Sequence, residues 1–264
     1  LGDVYKRQAV LFPEYIARSV RQGMEEGDLL PSITAATTRF EGMDYRSITA
    51  QAGGDSKELK AVDEGASIPA TTIQVQANLV KLRKRGRMLV ASYEAVRYQK
   101  LDLFSVTLRQ IGSHIAQMLL ADAVEVLIHG DGNDNAAAAS ETKGAGVLTY
   151  DELVDFWAAF DPYEMNTLLV SSDVLLKMLK LAEFQNPLTG LNFQGTGKLS
   201  TPLGATLLRT SVLPKNTAIG LDKRYALELV QGSDVTVEYD KLIDRQLERA
   251  AITTCLLYTS PSPR

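Results

Sequence analysis

The chain has 264 residues, 45% hydrophobic and 23% charged, the balance of an ordinary globular protein long enough to bury a sizeable core. Its 28 basic and 32 acidic side chains give a net charge of −4, which argues against a dedicated nucleic-acid binder, because such a surface gains its binding energy by releasing counterions to Lys and Arg. The single cysteine, Cys255, excludes an internal disulfide and a thiolate metal centre, and no run of about 20 apolar residues marks a membrane span or a leader.

Leu1–Gln8 (LGDVYKRQ) and Cys255–Arg264 (CLLYTSPSPR) resemble translated sequencing-adapter read-through and are expected to lie outside the fold. Setting them aside removes Lys6, Arg7, Arg264 and Asp3 and leaves a net charge of −6. Ala9–Gly27 reads as an amphipathic helix, with Leu11, Tyr15, Ile16 and Val20 at helical spacing and Gly27 and Pro31 as stops. Ser32–Ala50, rich in Ser, Thr and Ile, suits an extended arm ending in a first strand over Tyr45–Ala50. Gln51–Pro69 holds Gly53, Gly54, Gly65, Pro69 and six charged residues, and has too few large apolar side chains to make a core. It reads as a long polar excursion. Thr71–Ser92 returns as strand: Ile73, Val75, Ala77 and Leu79 alternate with Thr72, Gln74, Gln76 and Asn78, and Gly86 marks a bulge or bend.

Lys100–Ile128 is the longest periodic segment. Phe104, Leu108, Ile111, Ile115, Met118, Leu119, Ala123 and Leu127 trace one stripe along a helix roughly 40 Å long. His129–Asn133 ends it, and Asp134–Gly146 is a small-residue loop. A second unit opens at Thr149, which with Glu152 fits a capping box ahead of the stripe Leu153, Phe156, Trp157 and Phe160. Thr167–Val170 reads as a short buried strand, Ser172 as the cap of a helix over Asp173–Ala182, and Asn186–Pro214 as hairpin and turns. Thr217–Leu221, Tyr225–Leu229 and Val235–Tyr239 are further strands.

The candidates for chemistry fail on inspection. Asn192–Leu199 (NFQGTGKL) imitates a phosphate-binding loop, but Asn192 stands where the first glycine is needed and Leu199 where a magnesium-binding hydroxyl is needed. Asp131, Asn133, Asp134 and Asn135 lack the glycine and the closing glutamate of a calcium loop, since the sixth position is Ala136. His114 and His129 sit about four helical turns apart and cannot share a metal. Neither a nucleophile elbow nor a Cys/His pair occurs, so no catalytic, cofactor or metal residue is expected. Lys81, Arg83, Lys84, Arg85 and Arg87 form the one basic cluster. It reads either as a contact surface for DNA or a partner protein, or as a solvated strand balanced by acids such as Asp63 and Glu64, the second being preferred.

Four stretches taken together resemble the tailed-phage major capsid proteins of the Hong Kong 97 type. They are Glu58–Pro69 (ELKAVDEGASIP) running into a strand; Leu89–Glu94 (LVASYE) leading to the long helix and Leu127–Asn135 (LIHGDGNDN); Thr167–Leu179 (TLLVSSDVLLKML); and Pro202–Pro214 (PLGATLLRTSVLP) with the closing Arg245–Thr254 (RQLERAAITT). The resemblance implies an α+β capsid fold with an N-terminal arm over 9–42, an extended loop over 43–76, a peripheral domain over 77–146 with its spine helix at 100–128, an axial domain over 147–234, and a return to the peripheral domain over 235–254. It implies a non-enzymatic subunit that self-assembles through hexamers and pentamers into an icosahedral shell around DNA. A scaffolding protein, a portal and head-completion proteins would be its partners, assembly would take place in the host cytoplasm, and there would be no membrane role. The family's last strand runs past Thr254, so both ends are expected to be truncated.

Under that reading Lys57, Glu58, Lys60, Asp63 and Glu64 are the candidate inter-subunit contacts. Some members of the family join this loop to a neighbour by a lysine–asparagine bond. Lys60 lies near the matching place, but Asp240–Arg249 holds no asparagine, so no crosslink is expected. The rival readings are a cellular nanocompartment (encapsulin-like) shell of the same fold and, further off, a small hydrolase.

Overall fold

In the computed structural model, which describes residues 2–259 except 43, 47, 51–60, 65, 67–72, 76–77, 95–100, 134, 145 and 187–201, two long helices cross one face of a four-stranded sheet. Helix α1 spans Gly2–Gly27 and buries Ile16 and Val20. The 29-residue spine helix, Leu101–His129 (numbered α2), buries Leu108, Ala116, Leu119, Leu120, Ala123, Val124 and Leu127. By length and composition its Ser105–His129 part could cross a membrane. Here that apolarity is spent on packing against α1 and the sheet, and the helix carries Asp122 and Glu125, both ion-paired.

The two helices meet backbone to backbone. A Cβ on Gly112 would lie 2.1 Å from the Val20 carbonyl oxygen, and one on Gly23 would lie 2.1 Å from that of Arg109. Each mid-helix glycine costs about 1 kcal/mol relative to alanine. The pair makes sense as the two residues that let the axes come this close.

The sheet has the order β1 (Ala36–Arg39), β10 (Glu228–Leu242), β11 (Leu247–Thr259), β6 (Arg83–Ser92). β1 runs parallel to β10, and the other pairs are antiparallel. Ala250 and Ile252 of β11 face the helices and pack with Ile16, Val20 and Leu108. Three expectations change here. Gly86 is no bulge, because the β6–β11 register is unbroken from Leu247↔Ser92 to Leu256↔Arg83. What the glycine provides is room, since a Cβ there would lie 2.9 Å from the Thr253 methyl. The irregularity falls instead in β10, between Gln231 and Thr236. The strands expected at Tyr225–Leu229 and Val235–Tyr239 are one 15-residue strand, with Tyr225 in the turn before it, so the return to the sheet begins at Glu228 and not at 235.

The expected boundary at Cys255 is also corrected. β11 runs on through Thr259 with partners on both sides: Cys255 opposes Ser233 and Lys84, and Leu256 opposes Gln231 and Arg83. Leu256, Leu257 and Tyr258 are buried. Cys-Leu-Leu-Tyr-Thr is apolar and compatible with a strand, so it fills a position covered on both faces, by the helices on one and by Leu82 and Val230 on the other. At the other end, residues 2–8 continue α1.

The second unit is a three-stranded sheet, β8 (Thr206–Arg209), β7 (Thr167–Val170), β9 (Ala218–Leu221), with the central β7 buried at every residue. Helices α3 (Tyr150–Ala158), α4 (Ser172–Leu179) and α5 (Ala182–Gln185) cover it around Leu153, Met165, Leu168, Val174, Met178 and Phe184. The Thr149/Glu152 capping box forms in both directions. Trp157, expected in the buried stripe, is 47% exposed and stays outside the core that holds Leu153 and Phe156. The α4 cap is Ser171, not Ser172, and its hydroxyl makes no capping hydrogen bond. Leu169, Leu221 and Leu227 reach from this unit into the core formed by Leu119–Leu127 of the spine and Leu256, so the two units share one apolar interior.

Candidate inter-subunit surface

The polar excursion leaves the body on two short ladders, not on one continuous pair of strands. β2 (Asp44–Tyr45) pairs with β5 (Val80–Lys81), and β3 (Ile48–Ala50) pairs with β4 (Ile73–Val75), both antiparallel. Tyr45 opposes Val80 and Ile48 opposes Val75, so two residues lead out where four lead back. The base is well held. Tyr45 packs edge-on to Phe40 with ring centroids 5.4 Å apart, and its hydroxyl donates to the Glu228 carboxylate at 3.0 Å. Leu82, Val230 and Leu257 close the cluster beneath.

Beyond the base the picture reverses. Every residue from 46 to 79 whose exposure is described is exposed. That includes Asp63 and Glu64, beside Val62 at 40%, and also Leu79 at 50%, which the alternation had put on an apolar face. The Asp63 carbonyl accepts from the Ala66 amide at 3.0 Å, a local turn. Lys57, Glu58 and Lys60 lie outside the described residues, as does the Asn192–Leu199 loop.

The basic cluster is divided by strand alternation. Arg83 and Arg85 face the spine helix. Arg85 Nε donates to Asp122 Oδ2 at 3.0 Å and its Nη2 to the other carboxylate oxygen, while Arg83 reaches Glu125 at 3.3 Å and Asp122 at 3.8 Å. The Asp122 hydrogen bond, and after it the Asp122 charge, holds Arg85 above the ordinary guanidinium pKa. The balancing acids are therefore Asp122 and Glu125, because the helix packs directly on this strand, and not Asp63 and Glu64. Lys84 is exposed on the opposite face and Arg87 is exposed, and neither pairs with an acid among the described residues. Lys81 lies in β5 opposite Asp44. His114 and His129 are both exposed on the spine.

No residue pattern announced a densely hydrogen-bonded carboxylate in the second unit. The Asp222 carboxylate, 6% exposed, accepts from Arg224 Nε at 2.9 Å, Arg224 Nη2 at 2.7 Å, the Arg224 amide at 3.1 Å, Asn166 Nδ2 at 2.8 Å and the Glu164 amide at 3.4 Å. The Arg224 side chain above all holds its pKa down to about 2, against the opposing effect of burial. Asp-Lys-Arg at 222–224 reads in sequence as an ordinary polar turn, and the partners at 164 and 166 are found only by folding.

The family model for phage capsid protein matches residues 76–250. Three solved structures share the fold. The capsid of a native GTA particle has 16% identity and a TM-score of 0.60, covering 88% of this chain and 85% of its own. A virus-like particle from Pyrococcus furiosus has 12% identity and a TM-score of 0.61, covering 94% of each. Microbacterium phage Oxtober96 has 11% identity and a TM-score of 0.61, covering 89% and 85%. No curated protein matches in sequence. The family model covers the spine helix, the second three-stranded unit and most of the four-stranded sheet, and the chain belongs to the phage capsid protein family.

Proposed function

We propose that this capsid protein closes its shell by resting the polar hairpin on a second copy, with Lys57, Glu58, Lys60, Asp63 and Glu64 as contacts and with rings of subunits formed through head-to-tail surfaces. One observation carries the reading: between 46 and 79 no residue of described exposure is buried, although the hairpin base packs firmly. A segment with no core of its own gains order only from a partner. Single charges at such a rim contribute below about 1 kcal/mol each, so they set register more than affinity. The subunit acts by packing and not by catalysis.

Lys84 and Arg87 remain for contact with DNA or a scaffold, now that Arg83 and Arg85 are engaged by the spine. In this cluster the two exposed cations without an acid partner among the described residues suit weak, non-specific contact with packaged DNA summed over many copies, and binding by the assembled shell should weaken with salt. A nanocompartment shell shares the fold but is the weaker reading, because the matching family is that of phage capsid proteins. Electron microscopy of the expressed protein tests the main proposal. Shells or capsomers are expected, and reversing Asp63 and Glu64 together with Lys57, Glu58 and Lys60 should abolish them while leaving a folded subunit. A monomer at every concentration, or shells indifferent to the reversals, would refute it.

A further inference from the structure

Among the described residues β6 has a strand on one side only: β11 pairs with it along its length, and its other side is an edge of the four-stranded sheet. The Tyr93 amide donates to the Gln246 carbonyl at 3.0 Å and continues that register. Arg85, Arg87, Leu89 and Ala91 therefore direct their backbone groups to β11, and the alternate residues Gly86, Met88 and Val90 turn theirs to the edge. The side chains of Met88 and Val90 stand on the face away from the helices, 54% and 55% exposed. An open edge is a template for another strand, and charge is the usual guard against it. Here the guard covers one half. Arg83, Lys84, Arg85 and Arg87 protect the beginning of β6, while Met88–Ser92 (MLVAS) carries neither charge nor proline.

We infer that this half of β6 is a two-fold contact surface for a second copy of the chain, the two β6 strands pairing antiparallel about Leu89 so that two sheets become one. The inference rests on the reading of the chain as a shell subunit and is independent of the hairpin contact. In this register the strand is complementary to itself. Met88 of each copy opposes Val90 of the other, and because both direct their backbone groups outward, each pair exchanges two hydrogen bonds and shields its apolar side chains from water. The exposed Lys84 falls beside the exposed Glu94 of the other copy, once at each end of the contact. Centring the pair on Val90 would set Met88 against Ser92 and Glu94 against Gly86, losing both matches. Lys84 is then engaged by a second copy in the shell, which leaves Arg87 for nucleic acid.

The test uses the full chain and DNA-free shells, and reads the concentration of free subunit that coexists with them. Lys84→Glu and Glu94→Lys should each raise it about three- to tenfold, because each reversal sets like charges together twice in the contact, and the double Lys84→Glu/Glu94→Lys should restore it. Hydrogen exchange on the wild type should show the amides of Gly86, Met88 and Val90 slowed in shells only, and those of Arg85, Arg87 and Leu89 protected in dispersed subunits as well. A free-subunit concentration unchanged by the reversals, no restoration in the double, or slow exchange at 86, 88 and 90 before assembly would overturn the inference and leave the shell reading standing. A wild-type chain that forms no shell would remove both.

Discussion

The crossing of α1 over the spine helix and the distal half of the hairpin are opposites in one chain. At the crossing two glycines let carbonyl oxygens approach where a methyl group would stand 2.1 Å away, and Val20 is fully buried. In the hairpin beyond Tyr45, all described side chains are open to water. The first region adds to the subunit's own stability by burial, and the described side chains of the second do not. A protein that must fold before it assembles needs that division.

The comparison breaks if the crossing is soft. Gly112→Ala should cost roughly 3 kcal/mol, the upper end for overpacking, because backbone and not a flexible side chain obstructs the new methyl. Urea unfolding of the unassembled chain reads this, and a gain in stability from the better helix former would refute the close approach. Leu108→Ala, with the leucine 1% exposed at the same crossing, should cost about 2–5 kcal/mol. The neighbouring Ile111→Ala should cost less, because Ile111 is only partly buried.

A smaller effect lies in the second unit. The folded pKa of Asp222, about 2, lies below the unfolded value of about 3.9. Its contribution is therefore complete above about pH 4 and is lost as pH falls from there through about 2. Since Arg224 is half exposed, this is worth about 1 kcal/mol. Denaturant titrations should show wild type losing that increment over this window and Asp222→Asn, already without it at pH 7, showing no such loss. Smallest is the expectation for Asp63→Ala with Glu64→Ala. Thermal unfolding of the subunit should stay within about 0.5 kcal/mol, so that any effect appears only on assembly.

Local signals in the sequence carried well. The spine helix, the Thr149/Glu152 box and the buried strand Thr167–Val170 follow from periodicity, capping chemistry and apolar runs, and each is where the pattern puts it. What depends on distant partners did not carry. The parallel pairing of Ala36–Arg39 with Glu228–Gln231, the acids that balance Arg83 and Arg85, and the room that Gly86 gives Thr253 are contacts between segments far apart in the chain. Residues 255–259 misled for a related reason. Their composition suggested a foreign end, yet apolar strand-forming residues beside two open strand edges are enough to extend β11. Of the hairpin contacts, the polar character was legible from composition, while the split into two ladders was not, because the interruption lies in register and leaves no mark in residue type.

Hydrogen exchange across Ile48–Ala50 and Ile73–Val75, compared between dispersed subunits and assembled shells of the same chain, tests the central claim most directly. The account predicts strong additional protection in the shell, with the spine helix and β11 protected alike in both states. Equal protection of the hairpin in both states would contradict it.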